Sequence, residues 1–100
     1  MMTTKESILN YIKANKKILQ EQYAVEKIAL FGSFARNEQT SNSDIDLLVT
    51  LRENTPDIYG TKQRLRELFG MHFNCNIDIA SEKYLKPYIR EEILREAQYA

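Results

Sequence analysis

Cys75 is the only cysteine in this 100-residue chain, so no internal disulfide can form and a reducing, cytoplasmic setting is expected. The chain also lacks net charge, with 14 Lys and Arg against 14 Asp and Glu. A protein whose main task is to grip a nucleic-acid backbone usually carries a basic excess, so stable direct nucleic-acid binding is not expected. A nucleotide held through metal ions is still compatible with neutrality. No stretch approaches the apolar length needed to cross a bilayer, and the opening MMTTKESILN has no apolar secretion core, so no membrane role is expected. Linkers, repeats and low-complexity tracts are absent too. With room for one core only, the chain reads as one domain over residues 1–100, and a large ligand must be gripped with help from another chain.

What is present alternates between helical and strand periodicity. Thr4 to Tyr23 places Ile8, Tyr11, Ile12, Ile18 and Leu19 near helical spacing, with Lys13, Lys16 and Lys17 on other faces. Thr3 followed by Glu6 predicts a capping box at its start. Val25 to Phe31 is apolar and too short for a helix before Gly32, which predicts a strand. A short helical turn is expected at Ser33 to Arg36, and the polar NEQTSNS reads as an exposed loop. From Asp44 to Leu51 a second strand is expected, with Ile45, Leu47 and Val49 on one face and Asp44 and Asp46 on the other.

Thr55-Pro56 predicts a helix start, with the helix running to about Phe69 and stopping at Gly70. Gly60 inside it is unfavourable by about 1 kcal/mol relative to alanine, which moves the expected start toward Thr61. Asn76 to Ala80 reads as a third strand with Ile77 and Ile79 on one face and Asp78 on the other. Lys83 to Ala100 reads as a closing helix, with Leu85, Ile89, Ile93 and Ala97 at every fourth position. The expected fold class is α+β: a small mixed sheet with helices packed on one face and the aspartates on the other.

Residues two apart on a strand share a face about 6 to 7 Å apart, so Asp44 and Asp46 present their carboxylates together. Asp78 joins them if its strand is a neighbour. Two like charges about 5 Å apart repel by roughly 3 kcal/mol at an effective dielectric near 20. A divalent cation relieves this, and an all-oxygen donor set favours Mg²⁺ or Mn²⁺ over zinc. Two such ions suit an in-line phosphoryl or nucleotidyl transfer. Gly32 and Ser33 supply the complementary part, a close-approach glycine and a serine opening a short helix, while Arg36 offers charge to a triphosphate.

The run GSFARNEQTSNSDIDLLV, with its Gly-Ser pair, ten intervening residues and Asp-x-Asp, resembles the signature of the DNA polymerase β-like nucleotidyltransferase superfamily. The phrases GSFAR, SDIDLLV and IDIA, and the short chain, are similar to the minimal nucleotidyltransferases (MNT) of prokaryotes. The resemblance implies a polymerase β-like palm and a single nucleotidyltransferase domain that moves AMP from ATP to an acceptor hydroxyl. It implies that Gly32 and Ser33, with Arg36, bind the triphosphate. It likewise implies that Asp44, Asp46 and Asp78 are catalytic and hold two Mg²⁺ ions, Asp78 favouring deprotonation of the acceptor. Asn37 stands where the family usually has glycine, and asparagine tolerates the left-handed backbone such a position asks for. Many such enzymes are antitoxins of HEPN ribonuclease toxins, silencing the partner by adenylylating a tyrosine. The rival expectations are an antitoxin that acts by occlusion alone, and a nucleotidyltransferase for a small hydroxylated acceptor.

Other residues fit structural roles better. His72 and Cys75 form no zinc signature and are expected to fill a helix end and strand start. Tyr84, Tyr88 and Tyr99 are expected in the core or at a partner interface. Phe34 is expected to pack the short helix or to touch a ribose.

Overall fold

The computed structural model describes residues 3–100; Met1 and Met2 of the opening MMTT lie outside the described residues. In chain order the elements are α1 (Lys5–Ala14), α2 (Lys16–Tyr23), β1 (Val25–Phe31), α3 (Gly32–Ala35), β2 (Ile45–Leu51), α4 (Ile58–Phe73), β3 (Ile77–Ser81), a 3₁₀ turn (Glu82–Tyr84), α5 (Pro87–Glu96) and β4 (Gln98–Tyr99). The strands form one mixed sheet in the order β3-β2-β1-β4. β1 runs antiparallel to β2 and β4, and β2 runs parallel to β3. The mixed α+β fold expected from the sequence is the one observed.

The alternation in β2 works as expected. Ile45, Leu47 and Val49 are buried in the main core with Ile8, Ile12, Leu19, Val25, Ile28, Leu30, Leu65, Phe69 and Ile79. Those residues come from α1, α2 and α4 on the helical side and from β1, β2 and β3 beneath. Phe34 is buried in the same cluster, so its ring packs the short helix and is not exposed for a ribose. α5 behaves differently. It contacts β1 and α3 while its apolar side chains stay outside the main cluster, which puts it over part of the second face. Ala29 and Leu48, opposite one another in the β1–β2 ladder, are buried there.

Four local expectations change. The N-terminal helix is two helices: Asn15 leaves helical geometry and its side-chain amide donates to the Tyr11 carbonyl at 2.8 Å, a competing bond that short polar side chains favour. The capping box lies one residue later than predicted, with the Thr4 hydroxyl accepting from the Ser7 N–H at 3.0 Å and the Thr4 N–H donating to Ser7 Oγ at 2.9 Å. α4 is capped by Asp57, not Thr55, and runs through Gly70 to Phe73 before Asn74 ends it with φ +53°. Finally, the closing helix stops at Glu96, and Gln98–Tyr99 pairs with Leu30 and Ala29 as an edge strand.

Candidate active site

The end of the sheet where β1 finishes and β2 and β3 begin gathers most of the candidate residues. β1 delivers Gly32 immediately after Phe31, and Phe31 lies opposite Asp46 in the antiparallel ladder. Asp46 is in turn level with Asp78 in the parallel β2–β3 ladder. Asp44 sits just ahead of β2, exposed, where the Ile45 N–H donates to the Asn76 carbonyl at 2.9 Å and closes the strand start. The sequence thus places Asp44 within the strand by one residue too many, yet still beside the other two acids.

Gly32 has φ +75°, a conformation that L side chains rarely adopt. A Cβ there would stand 2.9 Å from Asp46 Cγ and closer still to its Oδ2. Only glycine lets the turn approach that carboxylate. Arg36 N–H closes α3 onto the Gly32 carbonyl at 3.2 Å, and Glu38 N–H donates to the Ser33 carbonyl at 2.9 Å. Asn37 takes up the left-handed conformation, φ +57°, as its asparagine side chain allows. Ser33 Oγ has no hydrogen-bond partner among the described residues.

Burial pushes the Asp46 carboxyl up to about 6, with the neighbouring charges of Asp78 and then Asp44 adding to the rise and Arg36 opposing it. Of the three acids, Asp46 thus feels both of the others. They do not form a closed ligand shell, since no three His, Cys, Asp or Glu side chains among the described residues are gathered as a metal cluster. An Mg²⁺ site has no need of one, because that ion is usually held by one or two carboxylates and completed by substrate phosphates and water. The donor chemistry, all oxygen and short of positive charge, fits such an ion.

A nucleotidyltransferase domain model matches residues 12–100, nearly the whole chain. The chain belongs to the nucleotidyltransferase family. A Methanocaldococcus jannaschii protein provisionally named a protein adenylyltransferase is 41% identical over 97 residues, 93% of this chain and 98% of its own. Protein adenylyltransferase MntA of Thermococcus cleftensis is 33% identical over 98% of this chain and 97% of its own. A solved structure provisionally described as a minimal nucleotidyltransferase superposes with a TM-score of 0.80 at 30% identity, covering 96% of this chain and 95% of that one. This nucleotidyltransferase is therefore of the minimal, MNT type. The same fold, at a TM-score of 0.61 and 14% identity over 91% of this chain and 70% of that one, occurs in the complex of a tri-AMPylated Shewanella oneidensis HEPN toxin with its MNT antitoxin.

In this nucleotidyltransferase Arg36, expected to contact the triphosphate, is bonded to two carboxylates of its own chain. Its Nε donates to Glu38 Oε1 at 2.6 Å and its Nη1 to Glu96 Oε2 at 2.8 Å. These carboxylates raise the guanidinium further above its ordinary value, with the Glu96 bond contributing most. Glu96 was not singled out in the sequence, although it carries a signal. It follows Ile93 by three residues and Ile89 by seven on the inward stripe of α5, where a charged residue is out of place unless something meets it. His72 stacks on Tyr11 with ring centroids 3.9 Å apart, and Cys75 Sγ donates to the Phe73 carbonyl, so both serve structure. Tyr84 and Tyr88 are about two-thirds exposed, which removes them from the core.

Proposed function

We propose that this nucleotidyltransferase uses ATP to adenylylate a hydroxyl, that of a tyrosine, on a HEPN-family toxin and so acts as its antitoxin. The observation that carries the reading is the register of Asp46 with Asp78, beside a glycine turn that only a missing side chain allows to approach. The names of its full-length relatives and the AMPylated toxin in the distant complex support the choice of acceptor class.

In this reading the Gly32–Ser33 turn holds the triphosphate, with the Ser33 hydroxyl donating to a phosphate oxygen. Asp44, Asp46 and Asp78 hold two Mg²⁺ ions; Mn²⁺ would fit the same donors. When bound, those ions would neutralise charge on the phosphates and make the attacking hydroxyl more acidic. The acceptor oxygen forms a bond to the α-phosphorus, the bond from that phosphorus to the α–β bridging oxygen breaks, and pyrophosphate leaves. In the same reading Asp78, exposed on the edge strand β3, takes the acceptor proton. The partner chain completes the cleft around the base and the acceptor.

The test is transfer of label from α-labelled ATP to the toxin with Mg²⁺ present. The Asp44→Asn/Asp46→Asn double variant is expected to lose transfer by at least about a thousandfold, since it removes the charge that the transition state depends on. Undiminished transfer by that variant refutes the reading.

A further inference from the structure

α3 is four residues long, and a single helical turn has almost no stability of its own. Something outside it must fix the turn. The bonds in the structure identify that element as the last residue of α5. Glu96, 64 residues away, accepts the Gly32 N–H on Oε1 at 3.0 Å. Its other oxygen, Oε2, accepts from Arg36 Nη1 at 2.8 Å. Gly32 and Arg36 are the first residue and the C-cap of α3, so one carboxylate spans both ends of the turn. The Glu96 side chain is 27% exposed, sheltered enough for its two charge-assisted bonds to hold a geometry.

The carboxylate is itself held in place. Directly after it the chain becomes extended at Ala97, and Gln98 and Tyr99 pair with Leu30 and Ala29 of β1. β1 is the strand that leads into Gly32. The C-terminal strand and the turn are thus tied to the same strand, and Glu96 bridges the short gap between them. On the other side of Gly32 stands the Asp46 carboxylate. The turn is thus bonded to Glu96 and packed against Asp46, while the Ser33 hydroxyl is left without a partner among the described residues.

We infer that Glu96 is a positioning residue for the phosphate-gripping turn, acting through Gly32 and Arg36 and not touching the nucleotide. It follows that the Glu96-facing edge of Arg36 is a strut within the protein. This rests on the reading of Gly32–Ser33 as the triphosphate turn. A rival role follows from the same contacts: as an anion on a backbone N–H, Glu96 could compete with phosphate and leave when ATP arrives. The two roles predict opposite effects of removing it.

The experiment is equilibrium binding of a non-hydrolysable ATP analogue with Mg²⁺, which needs no acceptor, to the full chain and to Glu96→Ala and Glu96→Gln variants. Loss of a charge-assisted clamp predicts at least about tenfold weaker binding by Glu96→Ala. Glu96→Gln keeps one oxygen for the Gly32 N–H but turns an NH2 group toward the Arg36 guanidinium, so it is expected between the two, about threefold weaker than the original chain. A residue that served general stability alone would not give this rescue, and thermal unfolding of each variant is read alongside. Should Glu96→Ala fail to fold, Glu96→Asp, one methylene too short to reach both partners, takes its place with the same expected loss. Binding by the alanine variant as tight as the original or tighter overturns the inference, as does a glutamine variant no better than alanine. If the original chain itself binds no nucleotide, the functional reading falls and the positioning role with it.

Discussion

At the scale of single residues, Asp46 is where function and stability oppose one another. A carboxylate held up to about 6, against an ordinary value of 3.8, is one that the fold penalises when charged. Between those two values the folded chain keeps a proton that the unfolded chain has released, so this group makes stability fall as pH rises through that window. Its penalty is absent below about pH 4 and complete above about pH 6. A shift of that size corresponds to at most ~3 kcal/mol, and solvent screening of a half-buried group reduces it. Asp46→Asn should therefore raise the melting temperature at pH 7.5, by several degrees, while removing transfer activity. The gain should shrink toward zero as melts are repeated down to pH 4; a variant less stable than the original at pH 7.5 would contradict the assignment of strain to this carboxylate. The grouping of Asp46 with Asp78 and Gly32 was legible in the sequence because residue type and spacing carry it. Glu96 was not, because its meaning lies in a contact across 64 residues that no local pattern encodes.

At the scale of elements, the strands were legible and the helix ends less so. β1, β2 and β3 declare themselves by apolar runs and by alternation, which survive in any packing that buries one face. Helix ends depend on backbone conformations that several residues can adopt. Gly70 reads as a stop, but the helix runs through it, a Cβ there would make only ordinary contact with the Cys75 carbonyl oxygen at 3.5 Å, and Asn74 provides the left-handed end. The capping choice at α4 is testable. Asp57 accepts the Gly60 N–H at 3.0 Å, and a Cβ at Gly60 would collide with the Asp57 carboxylate. Asp57→Ala should cost about 1 kcal/mol. Gly60→Ala should change little, because about 1 kcal/mol of gained helix propensity is offset by the lost cap. Urea unfolding of both variants checks this, and a clear gain for Gly60→Ala alone would show that the cap contributes nothing. β4 escaped notice because Leu85, Ile89, Ile93 and Ala97 keep helical spacing past the true end. The pairing of Gln98 and Tyr99 with β1 is a tertiary contact that overrides local preference.

At the scale of the whole molecule, the fold leaves the acids at one end of a small sheet, with Asp44 and Asp78 exposed. A cavity of about 580 Å³ lies elsewhere, at the opposite ends of β2 and β3 between Thr50, Arg52, Ile58, Glu82, Tyr84 and Arg90. It is remote from Asp46 and does not serve the proposed transfer. Among the described residues no helix is long and apolar enough to cross a membrane. An open palm of this kind is suited to an acceptor that brings its own walls, which a protein partner does and a small molecule does not. The question then is whether the partner is modified or merely covered. Intact-mass analysis of the HEPN toxin, co-expressed with the original chain or with the Asp44→Asn/Asp46→Asn variant, decides it most directly. The account predicts toxin heavier by one or more AMP units with the original chain, and unmodified, active toxin with the variant. Unmodified toxin that is nonetheless neutralised by both chains would contradict it and leave occlusion as the mechanism.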